Sequence, residues 1–582
     1  MHRPDAHASC EGGFQVGLPE GARVYTRFCA STCHIDQTLV DSPRIRVVRY
    51  FYCFDTEAGN TEANHRDNKK DGEEKLVSSK PPPELRSSTS DEKTSTSHSE
   101  IAEVHKVNSI GVFHSPVYLS EGLNFRGTLD TDRFIHALGR TLEDFSFLFG
   151  EFVTRQRDLY CVVKAHKAGS FSRSDTSTGT SLECTCSCLQ TASDGRITSH
   201  IALEIEHSAT SMESPSNGQL GELISRVVPT QVDERIRNVF AMQLAGLPLL
   251  CLKVTTYTDG FAVGCYFNHA LLDQGSIYYF FKYLSQVYTS GVEALCIRRP
   301  YVFDMDVVTG GNAIPEKLLD LEQFRATSEE WIGFTFLAND ASNPDGSSAS
   351  EESASTPDLK PDPRSYETLT LEFHLSTMEV FIRRNSSTYL SPNDLIHAVL
   401  LKLYSMNPEI PEDYEFCFGF ACNVRKYCSV GEEAMGNVLS HPLLRISIKE
   451  LRHASLLQLA RMNRNRLSEL NTDFICHSLA WYQALQYHHE HPGHYGVPSN
   501  VLNARATNWS TFNYDSIRFD ASRPCELLVP CLAPFRVNVI SFATRADQRV
   551  LRTTVSVPTK ARSQVEELAS TSGFFTSWSH AR

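Results

Sequence analysis

The stretch Phe261-Ala-Val-Gly-Cys-Tyr-Phe-Asn-His-Ala-Leu-Leu-Asp-Gln-Gly-Ser276 decides how this chain is read. An apolar run ends at a histidine, His269. Asp273 follows four positions later, and an aromatic-rich helix is expected over 275–288. Such a stretch can hold one imidazole at a strand end, aimed into a cleft, as a general base. The pattern alone weighs little. Among 22 histidines, about one His-x-x-x-Asp arises by chance if Asp is roughly a twentieth of residues. Asp273 would also serve simply as the N-cap of the helix. The surrounding chain has to decide.

Working outward, Leu247 to Thr256 and Phe261 to Phe267 read as a strand pair turned by Asp259-Gly260. Arg44 to Phe54 reads as a strand. Asp130 to Phe145 reads as an amphipathic helix with Phe134, Leu138, Leu142 and Phe145 on one face. Ser391-Pro392 opens a helix whose apolar stripe is Leu395, Val399, Leu400 and Leu403. Phe416 to Cys422 is strand-like, and Ser455 to Leu470 is helical. Val537 to Thr544 and Arg549 to Ser556 form a closing strand pair. This alternation predicts an α/β or α+β protein. Two segments, 56–104 and 339–364, are too polar to build a core, and the second marks the break between halves.

Composition bounds the function. The chain has 582 residues and a net charge of −14. That balance argues against a nucleic-acid partner and against docking on anionic membranes. No run approaches the roughly 20 apolar residues of a membrane span. The first eighteen residues lack the apolar core of a signal peptide, so a cytoplasmic location is expected. Seventeen cysteines then read as mostly reduced small hydrophobes. Cys184-Thr-Cys-Ser-Cys188 and Tyr487-His-His-Glu-His-Pro-Gly-His494 hold metal-ligating residue types. The first could bind a soft metal but has no second cluster near it to supply the four ligands zinc wants. The second lacks the spacing of the compact zinc helix motifs and reads as a solvated loop at Pro492-Gly493. No metal is therefore expected.

Several segments, in order, resemble the BAHD family of acyl-CoA-dependent acyltransferases. Phe125-Arg-Gly-Thr-Leu129 is similar to its early strand. Leu252-Lys-Val-Thr-Thr-Tyr-Thr-Asp-Gly260 leads into Asn268-His-Ala-Leu-Leu-Asp273, like its His-x-x-x-Asp motif. Ser391-Pro-Asn-Asp-Leu-Ile-His-Ala398 resembles its Ser-x-x-Asp-Ala-Leu helix start. Asn423-Val-Arg-Lys-Tyr427 with Gly436-Asn437 is similar to its Asp-x-Arg and Gly-Asn signature. Thr507-Asn-Trp-Ser-Thr-Phe512 resembles its Thr-Ser-Trp segment. Two departures stand out. Gln274 follows the aspartate where the family has glycine, with Gly275 one later. Arg518-Phe-Asp-Ala-Ser522 keeps only the phenylalanine of the Asp-Phe-Gly-Trp-Gly motif, a loop that shapes the family's coenzyme-binding end.

The resemblance implies an α/β fold of two similar chloramphenicol-acetyltransferase-like domains, mixed sheet plus helices, joined by a long crossover. The domains would span 1–315 and 366–582, with 316–365 as crossover and 56–104 as an insertion. It implies a monomeric enzyme of secondary metabolism. An acyl group would pass from acyl-CoA, a co-substrate rather than a tightly bound cofactor, to a hydroxyl or amine of a small-molecule acceptor. His269 would be general base. Asp273 would brace its loop by pairing with Arg425, a residue that could otherwise be a solvated surface charge. Thr507 and Asn508 are the oxyanion-donor candidates, weighed against ordinary loop polar residues, and Trp509 is packing. Two other readings stand beside this one. A condensation-type domain would use carrier-bound donors and two adjacent histidines, but Asn268 precedes His269. A catalytically degenerate scaffold would only bind.

Overall fold

The structure is a computed structural model that describes residues 23–29, 46–52, 101–115, 117–155, 158–164, 200–212, 249–309, 314–333, 335–336, 366–488, 495–496, 501–520, 522–529, 537–545 and 548–579. Residues 339–364 and the cysteine run at 184–188 lie outside them, as does most of 56–104. The last residues of that insertion, from Ile101, are in a strand, Ile101–Lys106. Its sequence, Ile-Ala-Glu-Val-His-Lys, is short and half polar, so it does not stand out from the polar composition before it.

Among the described residues, fifteen strands join into one mixed sheet. Seven of them position the site: β1 (Tyr118–Arg126), β2 (Leu250–Thr256), β3 (Gly260–Asn268), β4 (Glu415–Asn423), β5 (Val501–Asn508), β6 (Pro524–Leu528) and β7 (Val537–Arg545). The expected hairpin is present: β2 and β3 pair antiparallel from Leu250↔Phe267 to Thr256↔Phe261. All nine residues of β3 are buried, with β1 on its other side. A strand covered on both faces reads as continuous apolar sequence rather than alternation. In the second half, β4, β5 and β7 run parallel side by side.

The two halves are sewn together by β6. It comes late in the chain, yet pairs antiparallel with β1 from Leu528↔Gly122 to Pro524↔Phe125. Its other edge touches β7 at Glu526↔Ala543. The first half's sheet would otherwise end at β1 in an open edge.

Four helices matter here: α1 (Ser109–Phe113), α2 (Thr131–Asp144), α3 (Gln274–Ser290) and α4 (Pro392–Tyr404). Helix α2 buries Phe134, Leu138 and Leu142, the face expected from its period. Helix α4 opens with a reciprocal capping box between Ser391 and Asp394 and has Pro392 in its first turn. Helix α3 is capped by Asp273, whose carboxylate accepts from the Ser276 backbone N–H at 2.8 Å.

Candidate active site

His269 follows β3 directly, and backbone bonds fix it there. Its N–H donates to the Val117 carbonyl at 2.8 Å. Asn268 ties the same corner down: its amide donates to the Ser115 carbonyl at 2.9 Å and its oxygen accepts from the Ala270 N–H at 2.8 Å. The ring Nδ1 lies 3.1 Å from the Leu272 carbonyl. A carbonyl only accepts, so Nδ1 carries the proton and Nε2 holds the lone pair. Asn437 Nδ2 lies 3.4 Å from the same Nδ1, which is then donor facing donor. Its true partner is the His269 carbonyl, at 3.0 Å. Burial lowers the imidazole pKa below the ordinary 6.5, partly opposed by the charge of Asp273. The ring is therefore a neutral base at neutral pH.

Asp273 does two jobs at once. Besides capping α3, it receives Arg425 in a two-pronged pair, both N–O distances 2.8 Å. The Val438 N–H and the Ser276 hydroxyl complete its shell at 3.0 and 2.9 Å. The carboxylate is fully buried and the guanidinium almost so. Burial pushes the Asp273 carboxyl up, but the Arg425 charge and these hydrogen bonds outweigh it and hold it below the usual range. Arg425 also donates to the Ala434 carbonyl through Nε. Thus Arg425 is no solvated surface charge.

The displaced glycine has a steric reason. A Cβ on Gly275 would sit 2.6 Å from Arg425 Nη1, so glycine is required where the guanidinium passes. Gln274 instead turns into the core. It donates to Glu121 and, at 2.9 Å, to the Tyr514 hydroxyl. Burial pushes the Glu121 carboxyl up to about 8, with the Gln274 bond pulling the other way.

The altered loop keeps its phenylalanine for packing. Phe519 is fully buried, its ring 5.4 Å from Phe125 and 5.3 Å from Tyr288. Asp520, where the motif has glycine, takes a left-handed φ of 53°, a conformation Asp tolerates better than most residues. The Tyr288 hydroxyl donates to it at 2.7 Å.

Thr507 and Asn508 end β5. Thr507 lies level with Ala421 of β4, whose next residue, Cys422, pairs with Ser440. The Asn508 oxygen caps the turn that follows, and one amide N–H goes to Asn393 at 2.8 Å. Trp509 is buried, as packing requires. Of the histidine-rich loop, only its first histidine, His488, is described, and it bonds the Leu318 carbonyl at 2.8 Å. No group of three His, Cys, Asp or Glu side chains is placed to hold a metal among the described residues.

Sequence reasoning missed two histidines. His114 packs beside His269, ring centroids 4.8 Å apart, and His441 packs on His114 at 5.4 Å. No local pattern marks either one. Burial, and then the neighbouring imidazoles, push both well below the ordinary histidine pKa.

Residues 209–332 match the sequence model of the Transferase family. The family likeness is confined to that segment. It carries β2, β3, His269, Asp273 and all of α3. No curated protein matches the chain in sequence. Among solved structures, TRI101 of F. graminearum, in complex with coenzyme A and T-2 mycotoxin, aligns with a TM-score of 0.53 at 11% identity, covering 82% of this chain and 100% of that one. Its complex with coenzyme A and deoxynivalenol aligns at 0.51, with 12% identity and 82% and 100% coverage. TRI101 of F. sporotrichioides aligns at 0.50, with 12% identity and 81% and 99% coverage. At such identities the likeness is one of fold. The expected mixed α/β architecture is therefore the architecture found. No helix among the described residues is long and apolar enough to cross a membrane.

Proposed function

We propose that this chain is an acyltransferase that moves an acyl group from an acyl-CoA thioester to a hydroxyl or amine of a small-molecule acceptor. The observation that carries the reading is His269: a buried neutral imidazole whose Nδ1–H is held by the Leu272 carbonyl, leaving Nε2 as the proton acceptor. Nε2 takes the acceptor's proton as its oxygen or nitrogen attacks the thioester carbonyl carbon. The tetrahedral intermediate collapses, the carbon–sulfur bond breaks, and the departing thiolate takes that proton from His269. No covalent acyl-enzyme is required, because both substrates meet in one cleft. Asp273 and Arg425 act as positioning residues that keep the ring's corner in place. The Thr507 hydroxyl is the oxyanion donor, with the second amide N–H of Asn508 as its partner. Coenzyme A is a co-substrate, and the enzyme works as a cytoplasmic monomer.

Support for coenzyme A over a carrier-bound donor comes from Asn268. In a condensation-type site a second histidine precedes the catalytic one. Here Asn268 is buried and committed to two backbone partners. The test is His269→Ala, assayed with a panel of acyl-CoA donors from acetyl upward. Turnover should fall by roughly 10²–10⁴-fold while the fold is kept. Undiminished turnover, or tight acyl-CoA binding by the wild type with no transfer to any acceptor, would overturn the reading.

A further inference from the structure

The corner that carries His269 is also held from a direction that neither Asp273 nor Arg425 supplies. Residues 108–117 wrap it. The Val117 carbonyl accepts the His269 N–H, and the Ser115 carbonyl accepts the Asn268 amide. Helix α1 lies against the turn that follows: a Cβ on Gly111 would sit 2.5 Å from the Ala270 carbonyl oxygen. Just past the end of that helix, the His114 ring packs on His269 at 4.8 Å. None of these residues of the wrap falls within 209–332.

Asn108 begins the wrap and is 2% exposed. A buried asparagine most often just satisfies backbone groups close to it. Here the two groups it satisfies belong to opposite halves of the chain. Its Oδ1 accepts from the Gly111 N–H at 2.8 Å and so caps α1. Its Nδ2 donates to the Asn437 carbonyl at 3.2 Å, 329 residues away in sequence. The turn it grips there, Gly436–Val438, is the one that meets the Asp273 brace. The Gly436 carbonyl accepts from the Ser276 hydroxyl at 3.2 Å, and the Val438 N–H donates to Asp273 at 3.0 Å. Between them, Asn437 Nδ2 donates to the His269 carbonyl at 3.0 Å. Without the Asn108 amide, the buried Asn437 carbonyl would lose this donor and the turn could drift relative to α1. Asn437 would pass that drift to the His269 backbone. A general base must stay within hydrogen-bond reach of the proton it takes, and a misplacement of about 1 Å can cost roughly 10²-fold in rate.

We propose that Asn108 is a positioning residue for acyl transfer: its amide clasps helix α1 to the Gly436–Val438 turn of the second half, and through Asn437 sets where His269 stands. This rests on the acyltransferase reading and deepens it. Asn108 acts through Asn437 rather than on the substrate. It extends the satisfied network around Asp273 to helix α1.

The two bonds of Asn108 can be separated. Asn108→Ser keeps the cap, since a serine hydroxyl accepts from the same N–H, but its side chain is too short to reach Asn437. Asn108→Ala loses both bonds. The full chain is assayed with acyl-CoA donors from acetyl upward and a panel of small alcohols and amines. Both variants should lose kcat by roughly ten- to a hundredfold, with KM for acyl-CoA unchanged. Melting temperature should rank wild type, then Asn108→Ser, then Asn108→Ala. As a control, Ser455→Ala removes the cap of the helix Leu456–Ser468, and it should lower the melt while kcat stays at the wild-type value. Wild-type kcat in Asn108→Ser with loss in Asn108→Ala overturns the clasp, because the cap alone would then matter. A rise in KM that tracks the melt in both variants also overturns it, because that marks general loosening. Wild-type protein that consumes no thioester with any acceptor overturns the acyltransferase reading and this inference with it.

Discussion

Asp273 and the segment Asn437–His441 flank the same imidazole and are opposites. Asp273 has every bond it can use: two from Arg425, two from Ser276 and one from Val438. The segment leaves three buried polar atoms without partners. One side of His269 is thus finished by the protein itself, and the other leaves buried polar atoms that no described group satisfies. A satisfied buried network rigidifies, whereas an unsatisfied one stores a cost that a ligand can relieve. If His269 is the base proposed above, the satisfied side is the one that holds it in place.

The contrast can be broken most sharply on the finished side. Arg425→Ala would leave Asp273 as an uncompensated buried charge and should destabilise the protein by about 3–5 kcal/mol, read from denaturant melts. Arg425→Lys keeps the charge without the two-pronged fork and should fall in between. If Arg425→Ala melts like the wild type, Asp273 is no brace.

Acid should act next. A general base must be neutral, and His269 titrates below 6.5 because it is buried. Thus kcat/KM should stay level from pH 8 down to about 6.5 and fall only below it, through one titration. Stability should follow the same direction. His114, His269 and His441 all resist protonation in the folded chain, while unfolded histidines take protons near 6.5. The unfolded state then binds more protons as pH falls below 6.5, so stability is lost in that window. Melts that are insensitive to pH between 6.5 and 5 would contradict the three-histidine packing.

The smallest effect should lie on the open side. Ser440→Ala removes a hydroxyl that has no partner in the free protein, and its stability should change by no more than about 0.5 kcal/mol. A loss comparable to that of Arg425→Ala would mean the segment is internally satisfied, and the comparison would collapse.

How much of this could be read beforehand follows from the range of each interaction. The hairpin around Asp259-Gly260, helix α2 and helix α4 are written in local periodicity and caps, and they formed where expected. His269 is legible because its strand ends at it. Arg425 was legible only through resemblance, since nothing local says that an arginine will meet an aspartate from the other half of the chain. His114 and His441 were not legible at all. They reach His269 through tertiary packing, with no spacing to betray it. The strand at Pro524–Leu528 is five residues long and mixes polar with apolar, so its role in the other half's sheet left no trace. Phe519 shows the middle case: a motif loop lost its glycines yet kept the one ring that the core needs.

That late strand has a consequence for how the protein is made. Strand β1 leaves the ribosome early, but the partner for its open edge, β6, is synthesised some four hundred residues later. Until then the nascent first half carries an unpaired backbone edge, and an Asp273 whose Arg425 has yet to appear. Such an intermediate is poorly protected against pairing with a neighbouring copy. The chain should therefore complete its first half last, and truncation before Pro524 should yield aggregates rather than a free-standing domain.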